Sequence, residues 1–512
     1  MITMSFMLLF SISLLIACLV FKTIGKYFAL DHPDDRKKHS VPIPQIGGII
    51  FGFILLLLCL WYNLVPNWYL IGGIILILLG TFDDLFHISW YIKLIVQIIL
   101  AVYISVHYLN QYQILTIYLF SFQLSNFLFL SLFILWFIFI SNSINLLDGV
   151  DGLAGGFMAI LCICAAIIGT GSFKTVNMIL FTLLIVFLIF NQRDAKYFMG
   201  DAGSLFLGFH CAVLPLLYYD NIKDTHIDLT FFIIMLSFPI ADTIRVFITR
   251  ILQKKNPMKA DSIHLHHVII QESGSYLGTI SMIYMITVLS AILGIYSVSF
   301  SLSINLVLIH ISVVMFFILM PPVLTYVPIF TRLIQPFHDW QLTNINDRRS
   351  VRDLSKPHRT TFILLLVLGL LSSIYLYATK DSVINWEVGI SFILILLSIY
   401  FTRKDRIINY IIQVGIVLLV FQTNWGFQVH IITKLCIVLL IISYIVFTIQ
   451  KESGSIITSD FSALDLLMIY ITIGGIVLYF MKCEIYPWVL LEICALWFGI
   501  SFVLRRTRIM QY

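Results

Sequence analysis

The sequence predicts an all-α, polytopic integral membrane protein. Of its 512 residues, 60% are hydrophobic and 11% are charged, and the mean hydropathy is +1.01. Soluble globular domains do not reach these values. Apolar runs of about 17 to 25 residues recur along the chain, and each is long enough to cross roughly 30 Å of hydrocarbon as a helix. The lipid bilayer is therefore the first expected partner, and no nucleic-acid partner is expected.

The apolar runs predict about 11 spans in the first part of the chain and about six in the last part. The first run has no basic region before it, so we interpret it as a retained span and not as a cleaved signal peptide. A basic segment separates the two sets and divides the chain into regions 1–325, 326–360 and 361–512. The predicted spans are 5–28, 46–64, 67–82, 91–108, 127–145, 152–170, 176–190, 203–219, 229–249, 276–298, 303–324, 361–378, 387–402, 408–421, 429–449, 463–481 and 486–504.

The distribution of Lys and Arg predicts an outside N-terminus and an inside C-terminus. Cytoplasmic loops of membrane proteins are rich in Lys and Arg. With the N-terminus outside, the outer loops of region 1–325 contain only Lys174 and Lys223, and the remaining basic loop residues lie inside. The basic residues of segments 326–360, 403–406 and 505–508 also fall inside. The outer loops are short and nearly uncharged, which argues against an extracytoplasmic catalytic domain.

Five polar strings lie at the ends of predicted spans, all on the predicted cytoplasmic face. Ionisable groups at the level of the bilayer are costly and usually functional. We therefore expect the strings to form one site. They are residues 31–48 (DHPDDRKKHSVPIPQIGG), 83–84 (DD), 142–152 (NSINLLDGVDG), 200–204 (GDAGS) and 264–267 (HLHH).

The acidic pair Asp83 and Asp84 follows an apolar run, which places it at the C-terminal end of a helix. The helix dipole is already negative there, so each carboxylate costs about 0.3–1 kcal/mol and the two repel each other. A hard cation would offset this charge, and Mg²⁺ usually binds through one or two carboxylates plus substrate phosphates. The alternative is a solvated helix end with Lys93 nearby.

Two further strings supply oxygen ligands. Asn145, Asp148 and Asp151 are spaced i, i+3, i+6, which on a helix places them along one side. The alternative is a polar loop in which Asp151 caps the next helix. Asp201 and Ser204 begin an apolar run, so either could be a helix N-cap, or Asp201 could hold a metal beside a bound phosphate.

The basic strings favour contacts with phosphate. His264, His266 and His267 could bind zinc, but no cysteine accompanies them. Contact with a diphosphate or uracil is the favoured interpretation, and a solvated histidine-rich loop is the alternative. For the segment from Arg36 through Lys38 to His39 we favour phosphate binding over contact with anionic lipid headgroups.

Together the strings supply acidic metal ligands, basic phosphate ligands and glycine turns, without a Ser-His-Asp pattern or a P-loop. This inventory suits phosphoryl transfer, where the protein positions the substrates and neutralises charge. At a membrane surface it suits one water-soluble and one lipid substrate.

The order of the strings resembles the polyprenyl-phosphate N-acetylhexosamine-1-phosphate transferases. RKKH and PIPQIGG are followed by DD, NxxNxxDGxDGLAGG, FxGDAGS and HLHH, over residues 1–325. The resemblance implies that a UDP-N-acetylhexosamine gives its sugar 1-phosphate to undecaprenyl phosphate and that UMP leaves. It also implies a Mg²⁺ requirement, with Mn²⁺ as a substitute, and a site on the cytoplasmic face of the bacterial inner membrane.

The resemblance also implies roles for individual residues. Asn145 and Asp201 match metal-site residues. The acidic pair matches residues assigned to the metal, the diphosphate or activation of the lipid phosphate. The implied catalytic set is Asp83, Asp84, Asp148 and Asp151; the metal set is Asn145, Asp201, Asp83 and Asp84; the substrate-binding set is Arg36, Lys38, His39, His264, His266 and His267.

The strings PIPQIGG and HLHH favour the branch of the family that uses simple UDP-N-acetylhexosamines over the branch that uses UDP-N-acetylmuramoyl-pentapeptide. Such enzymes start cell-envelope polysaccharides such as O-antigen or teichoic-acid-type polymers. The spans after residue 361 depart from the family pattern, and their role is left open. Alternatives are a non-catalytic carrier or flippase for lipid-linked sugars and a scaffold. A homodimer, or a complex with polysaccharide-synthesis partners, is compatible with the sequence.

Overall fold

A computed structural model describes residues 6–23, 28–31, 42–192, 195–254, 263–273, 276–299, 306–308, 310–312, 464, 466–471 and 473. The predicted phosphate ligands Arg36, Lys38 and His39 lie outside the described residues. So do most of the predicted span 303–324 and nearly all of the predicted spans after residue 361. The chain divides into two compact units, one of residues 24–338 and 480–483 and one of the remaining residues. The first unit contains every element below except the first helix.

The described part of the chain is mostly helical. Its helices are α1 (Phe6–Thr23), α2 (Gly47–Trp61), α3 (Asn67–Phe86), α4 (Trp90–Val106), α5 (Asn126–Leu147), α6 (Leu153–Ile168), α7 (Gly171–Phe190), α8 (Gly200–Ile222), α9 (Thr230–Met235), α10 (Ser237–Leu252), α11 (Leu265–Ser273) and α12 (Tyr276–Ser299). By length and composition, α3, α5, α7, α8 and α12 can each cross a membrane. This agrees with a polytopic membrane protein.

The described part of the chain also contains short strands, which the sequence analysis did not predict. β1 (Leu30–Asp31) pairs with β2 (Ile43–Pro44). β3 (Ile114–Ile117) pairs antiparallel with β4 (Phe120–Gln123) and parallel with β5 (His226–Asp228), in the order β4-β3-β5. The predicted spans 91–108 and 127–145 left residues 109–126 as an outer loop, and the sequence analysis did not expect this sheet.

The predicted span 229–249 is also corrected, since the chain breaks at Leu236 between α9 and α10. Pro239 lies in the first turn of α10 and has no N–H to donate to the carbonyl of Met235, so one continuous helix would lose a hydrogen bond there. Proline is tolerated in the first turn of a helix, which is where the break places it.

The helices of the first unit arrange their ends in two groups. α3 and α5 end, and α4 and α8 begin, around Asp83, Lys93, Asn145 and Asp201, a region here called the polar end. The other ends of α4, α5 and α8 lead to β3, β4 and β5, a region here called the sheet end. The chain therefore gathers its polar strings at one end of the bundle.

The N-terminus of α8 fits closely against α2 and α3. A side-chain carbon added at Gly80 would overlap the backbone of Asp201 and Ala202, and one at Gly48 would overlap the backbone of Gly203. Small residues at such crossings let helix backbones approach closely. The turn that carries Asp201 is thus held by backbone contacts from two helices.

Candidate active site

The Asp83 and Asp201 carboxylates share one cation at the polar end. Lys93 Nζ lies 2.5 Å from Asp83 Oδ2 and 3.1 Å from Asp201 Oδ2. Asp83 is buried, so the alternative of a solvated helix end does not describe it. The sequence analysis mentioned Lys93 only as a nearby charge, whereas the structure places it between two carboxylates of different helices.

The second oxygen of Asp201 is held from α5. Asn145 Nδ2 lies 3.0 Å from Asp201 Oδ1 and 2.7 Å from Ser204 Oγ. The side chains of four helices, α3, α4, α5 and α8, therefore converge on one carboxylate. We call Asp83, Lys93, Asn145 and Asp201 the transfer cluster. Asp201 does not act as a cap for its own helix, because its oxygens are used by Lys93 and Asn145.

Asp84 has different partners from its neighbour. Its Oδ1 accepts a hydrogen bond from the backbone N–H of Asp201 at 2.8 Å, and its Oδ2 accepts one from Ala202 at 3.2 Å. A carboxylate at a helix N-terminus satisfies otherwise unpaired N–H groups and complements the helix dipole. Gly200, with a φ of 72°, lies so close to Asp84 that an added side-chain carbon would be 2.6 Å from Oδ2. Asp84 thus anchors the turn that carries Asp201.

The loop after α5 carries Asp148 and Asp151, and it corrects the expectation of one helical face. α5 ends at Leu147, so the i, i+3, i+6 spacing does not continue on a helix. The N-cap residue of α6 is Gly152, with a φ of 78°, and not Asp151. Burial, together with the negative charges of Asp201, Asp151 and Asp84, raises the pKa of Asp148 to about 8.

Residues that the sequence analysis did not select hold this loop. Asn191 Oδ1 accepts the N–H of Gly152 at 2.8 Å, and its Nδ2 donates to the carbonyl of Tyr197 at 3.1 Å. The hydroxyls of Tyr276 and Tyr284 donate to the carbonyls of Asp151 and Gly152 at 2.5 and 2.7 Å. Their signal in the sequence was weak, because Asn and Tyr in apolar runs have many ordinary uses.

The HLHH string is fixed by an aspartate and an arginine of α10. Asp242 Oδ2 lies 2.9 Å from His264 Nδ1, and its Oδ1 accepts from Arg245 Nη2 at 2.8 Å and from the N–H of Leu265 at 2.9 Å. Burial alone raises the pKa of Asp242, but the hydrogen bond from His264 and the charge of Arg245 hold it at about 2. The side chains of Asp242 and Arg245 are both buried.

His266 is the member of the HLHH string whose ring nitrogens lack hydrogen-bond partners among the described residues. It is fully buried, and neither ring nitrogen has a hydrogen-bond partner within the described ranges. Burial lowers its pKa to about 3, helped by the neighbouring His267. Buried polar groups are normally hydrogen-bonded, so such an exception calls for an explanation. The alternative of a solvated histidine-rich loop is wrong for His264 and His266.

The HLHH string packs against the loop after α5. A side-chain carbon added at Gly149 would overlap His266 Nε2 and lie 3.2 Å from His267 Nε2. We call Asp242, Arg245, His264 and His266 the histidine cluster. The loop 148–152 therefore joins it to the transfer cluster.

The described half of the first string belongs to the same end. The backbone N–H groups of Gly47 and Gly48 donate to the carbonyls of Phe198 and Met199, both at 2.9 Å. These carbonyls directly precede GDAGS. All five strings, as far as they are described, therefore meet at the polar end, as the sequence analysis expected.

The donor chemistry of the transfer cluster fits a hard divalent cation. Carboxylate and amide oxygens are the ligands that Mg²⁺ prefers. In the described part of the chain, however, no three His, Cys, Asp or Glu side chains are arranged as a ready metal site. The ammonium of Lys93 lies between the two carboxylates that a cation would approach.

Comparison with known proteins places these elements in a family. A model described as Glycosyl transferase family 4 matches residues 67–219, which run from α3 into α8. A probable undecaprenyl-phosphate N-acetylglucosaminyl 1-phosphate transferase of Bacillus subtilis is 31% identical over 320 residues, 59% of this chain and 86% of the relative.

Two further relatives carry the name undecaprenyl-phosphate alpha-N-acetylglucosaminyl 1-phosphate transferase. The protein of Thermotoga maritima is 32% identical over 247 residues, 48% of this chain and 75% of the relative. That of Salmonella typhi is 28% identical over 294 residues, 52% of this chain and 77% of the relative. The range 67–219 that the family model matches contains Asp83, Asp84, Asn145 and Asp201. The chain belongs to glycosyl transferase family 4, as its five motifs indicated.

Proposed function

We propose that this protein transfers N-acetylhexosamine 1-phosphate from a UDP-sugar to undecaprenyl phosphate. An oxygen of the lipid phosphate attacks the sugar-linked phosphorus of the donor, the bond to the bridging oxygen breaks, and that oxygen leaves on UMP. The product is a sugar linked to the lipid through a diphosphate. The observation that carries this proposal is the convergence of four helix ends on Asp201, beside a second cluster with an unpartnered buried histidine.

The charge arrangement of the membrane-crossing helices supports an enzyme over a carrier. In α3 to α8 and α12, every Asp, Glu, Lys or Arg lies within the first or last four residues of its helix. A carrier that moves a charged headgroup across the bilayer would need polar ligands through its depth. These seven helices instead concentrate charge at their ends, which suits chemistry at one membrane surface, whereas Asp242 and Arg245 within α10 form an ion pair of the histidine cluster.

We assign the transfer cluster to the reacting phosphates. Asp83, Asp201 and the amide oxygen of Asn145 would hold Mg²⁺, or Mn²⁺ in its place. Such an ion, when bound, neutralises charge on the phosphoryl oxygens. Lys93 supplies a positive charge within reach of both carboxylates, and it would be available to a substrate phosphate if those carboxylates held a metal ion. Asp84 keeps the Asp201 turn in place, because both of its oxygens are bound to that turn.

We assign the histidine cluster to the nucleotide part of the donor. The bond from Asp242 to His264 Nδ1 orients that ring, and the bond to the Leu265 N–H fixes the start of α11. His266 is thereby held neutral beside Gly149, where its ring nitrogens can meet the donor and acceptor groups of uracil or ribose. Asp148 and Asp151 lie on the loop between this cluster and the transfer cluster.

UDP-sugars are made in the cytoplasm, so the polar end faces the cytoplasm and the sheet end faces outwards in a bacterial inner membrane. The product would start a cell-envelope polysaccharide. The direct attack written above and a double displacement through a phosphorylated aspartate remain the two chemical routes. Asp84 is the less suitable nucleophile of the acidic pair, because its oxygens already accept two backbone hydrogen bonds.

The test is UMP release by the full-length chain, with undecaprenyl phosphate, Mg²⁺ and a panel of UDP-sugars. We expect release with a UDP-N-acetylhexosamine, none with UDP-N-acetylmuramoyl-pentapeptide, and loss on chelation with EDTA that Mg²⁺ or Mn²⁺ restores. Asp201→Asn is the inactive control. Absence of release with every donor, from protein that remains folded, would reject the proposed function.

A further inference from the structure

The sheet at the sheet end has one apolar face. Residues directly opposite each other in neighbouring strands point to the same side of a sheet. The register places Phe122 opposite Leu115 and Phe120 opposite Ile117, and β5 adds Ile227 beside Leu115. All five side chains therefore point to one side, as a strand period of two requires.

The other face of the sheet is polar. Thr116 is opposite Ser121, and its Oγ1 lies 2.8 Å from Ser121 Oγ and 2.6 Å from His226 Nε2. The sheet is thus amphipathic, and its apolar face needs an apolar neighbour.

The helices cover only part of the apolar face. Leu115 and Ile227 are 8% and 4% exposed, and both line an apolar cavity with Phe129 of α5. Phe120 and Phe122 of the edge strand β4 are 68% and 50% exposed. They point to the same side as Leu115, which is the side of the helices. β4 therefore overhangs the bundle and turns its phenyl rings towards the space beside the helices.

The chain segment that carries β4 has no formal charge. The sequence contains no Asp, Glu, Lys or Arg between Lys93 and Asp148. Exposed edge strands in water usually carry charged residues, which prevent association with other edges. α5 begins three residues after β4 and can itself cross a membrane, and it also exposes apolar side chains, with Phe127 and Leu135 78% and 64% exposed. In a membrane protein such a surface belongs to lipid.

We propose that the β3–β4 hairpin lies in the interfacial layer of the bilayer at the sheet end. Phe120 and Phe122 contact the upper acyl chains of phospholipids, and the polar face with Thr116 and Ser121 points to water. Interfacial elements of membrane proteins bury an apolar face that contains residues such as Phe at the boundary between headgroups and acyl chains, and their polar face stays in water. The hairpin would anchor α4 and α5, whose opposite ends carry Lys93 and Asn145 of the transfer cluster, at a fixed depth.

Spin labels test this arrangement in the full-length protein. Phe122→Cys and Gln123→Cys are adjacent exposed positions on opposite faces of β4, so each is the matched control for the other. The described cysteines are buried, and the unsubstituted chain treated with the label gives the background. The protein is placed in vesicles of phosphatidylethanolamine and phosphatidylglycerol, and label collisions with O₂ and with a water-soluble nickel chelate are measured.

We expect the ratio of O₂ to nickel accessibility to be several-fold higher at position 122 than at position 123. Equal ratios at the two positions, whether both are typical of water or of lipid, would overturn the proposal. Strong dipolar broadening between labels at position 122 would also overturn it, because a second copy of the chain would then cover the phenyl rings.

Discussion

The transfer cluster and the histidine cluster both combine carboxylates with a basic side chain, but the two arrangements suit different purposes. In the transfer cluster, two carboxylates from different helices share Lys93, and the cation lies at the centre. In the histidine cluster, Asp242 and Arg245 form a closed pair on one helix, and the group left without a partner is the neutral ring of His266. The first arrangement is open to exchange of its cation. The second is a rigid frame around one uncharged ring, which suits binding.

Removal of the Asp201 carboxylate should have the largest effect on the transfer cluster. Asp201→Asn keeps the size of the side chain but removes the charge that Lys93 and a metal would share. We expect kcat to fall by about 10³-fold, the upper range for loss of one electrostatic contact in an active site. Steady-state UMP release measures this, and an unchanged thermal melting temperature in detergent is the control. A loss below tenfold would exclude Asp201 from the centre of the reaction.

The same substitution should have different effects at Asp83 and at Asp84. Asp83→Asn removes a carboxylate beside Lys93, so we expect about a 10²-fold loss of kcat and a higher Mg²⁺ concentration for half-maximal rate. Asp84→Asn keeps one acceptor for the N–H groups of Asp201 and Ala202, so we expect a smaller loss of kcat and a lower melting temperature. The Mg²⁺ dependence of UMP release and melting curves compare the pair. The reverse pattern would assign the metal contact to Asp84.

The histidine cluster should make stability depend on pH. Because the pKa of His266 is lowered from 6.5 to about 3, the unfolded chain binds a proton below pH 6.5 that the folded chain does not. Stability is therefore greatest above pH 6.5 and is lost as pH falls towards 3, by about 2 kcal/mol at pH 5. His266→Asn, which does not titrate there, should show a flatter melting temperature between pH 7 and pH 5. Parallel curves for the two proteins would contradict a neutral buried ring.

The smallest of these effects should be on donor binding. His266→Ala removes two ring nitrogens and leaves the frame of Asp242 and Arg245 intact. We expect about a tenfold rise in KM for the UDP-sugar with little change in kcat, since one hydrogen bond contributes about 1–1.5 kcal/mol. Gly149→Ala is a useful companion, because its added carbon would displace the same ring. An unchanged KM in both variants would remove His266 from the donor site.

Much of the site could be predicted because its residues are costly to place in a membrane. Asp83, Asn145, Asp201 and His266 stood out against apolar runs, and the distribution of basic residues predicted that they share one face. The partner of Asp84 could not be predicted, because it is the backbone of a helix 117 residues away in sequence. Local patterns carry no information on such contacts.

The differences between the predicted and the observed fold also have physical causes. The alternation in residues 114–123 was hidden, because in a chain this apolar both faces of a strand look alike to a hydropathy window. The break at Leu236 had a visible signal in Pro239, but the run around it was apolar enough to predict one span. The pair of Asp242 and Arg245 within that run was the second signal, since buried charges in an apolar segment are usually paired.

The most direct test of the account is a single steady-state comparison of Lys93→Met and His266→Ala in the UMP-release assay, with the UDP-sugar varied at saturating Mg²⁺ and lipid. The account predicts that Lys93→Met lowers kcat and leaves KM for the donor nearly unchanged, and that His266→Ala raises KM and leaves kcat nearly unchanged. The opposite assignment, or the same change in both variants, would contradict the separation of transfer and binding between the two clusters.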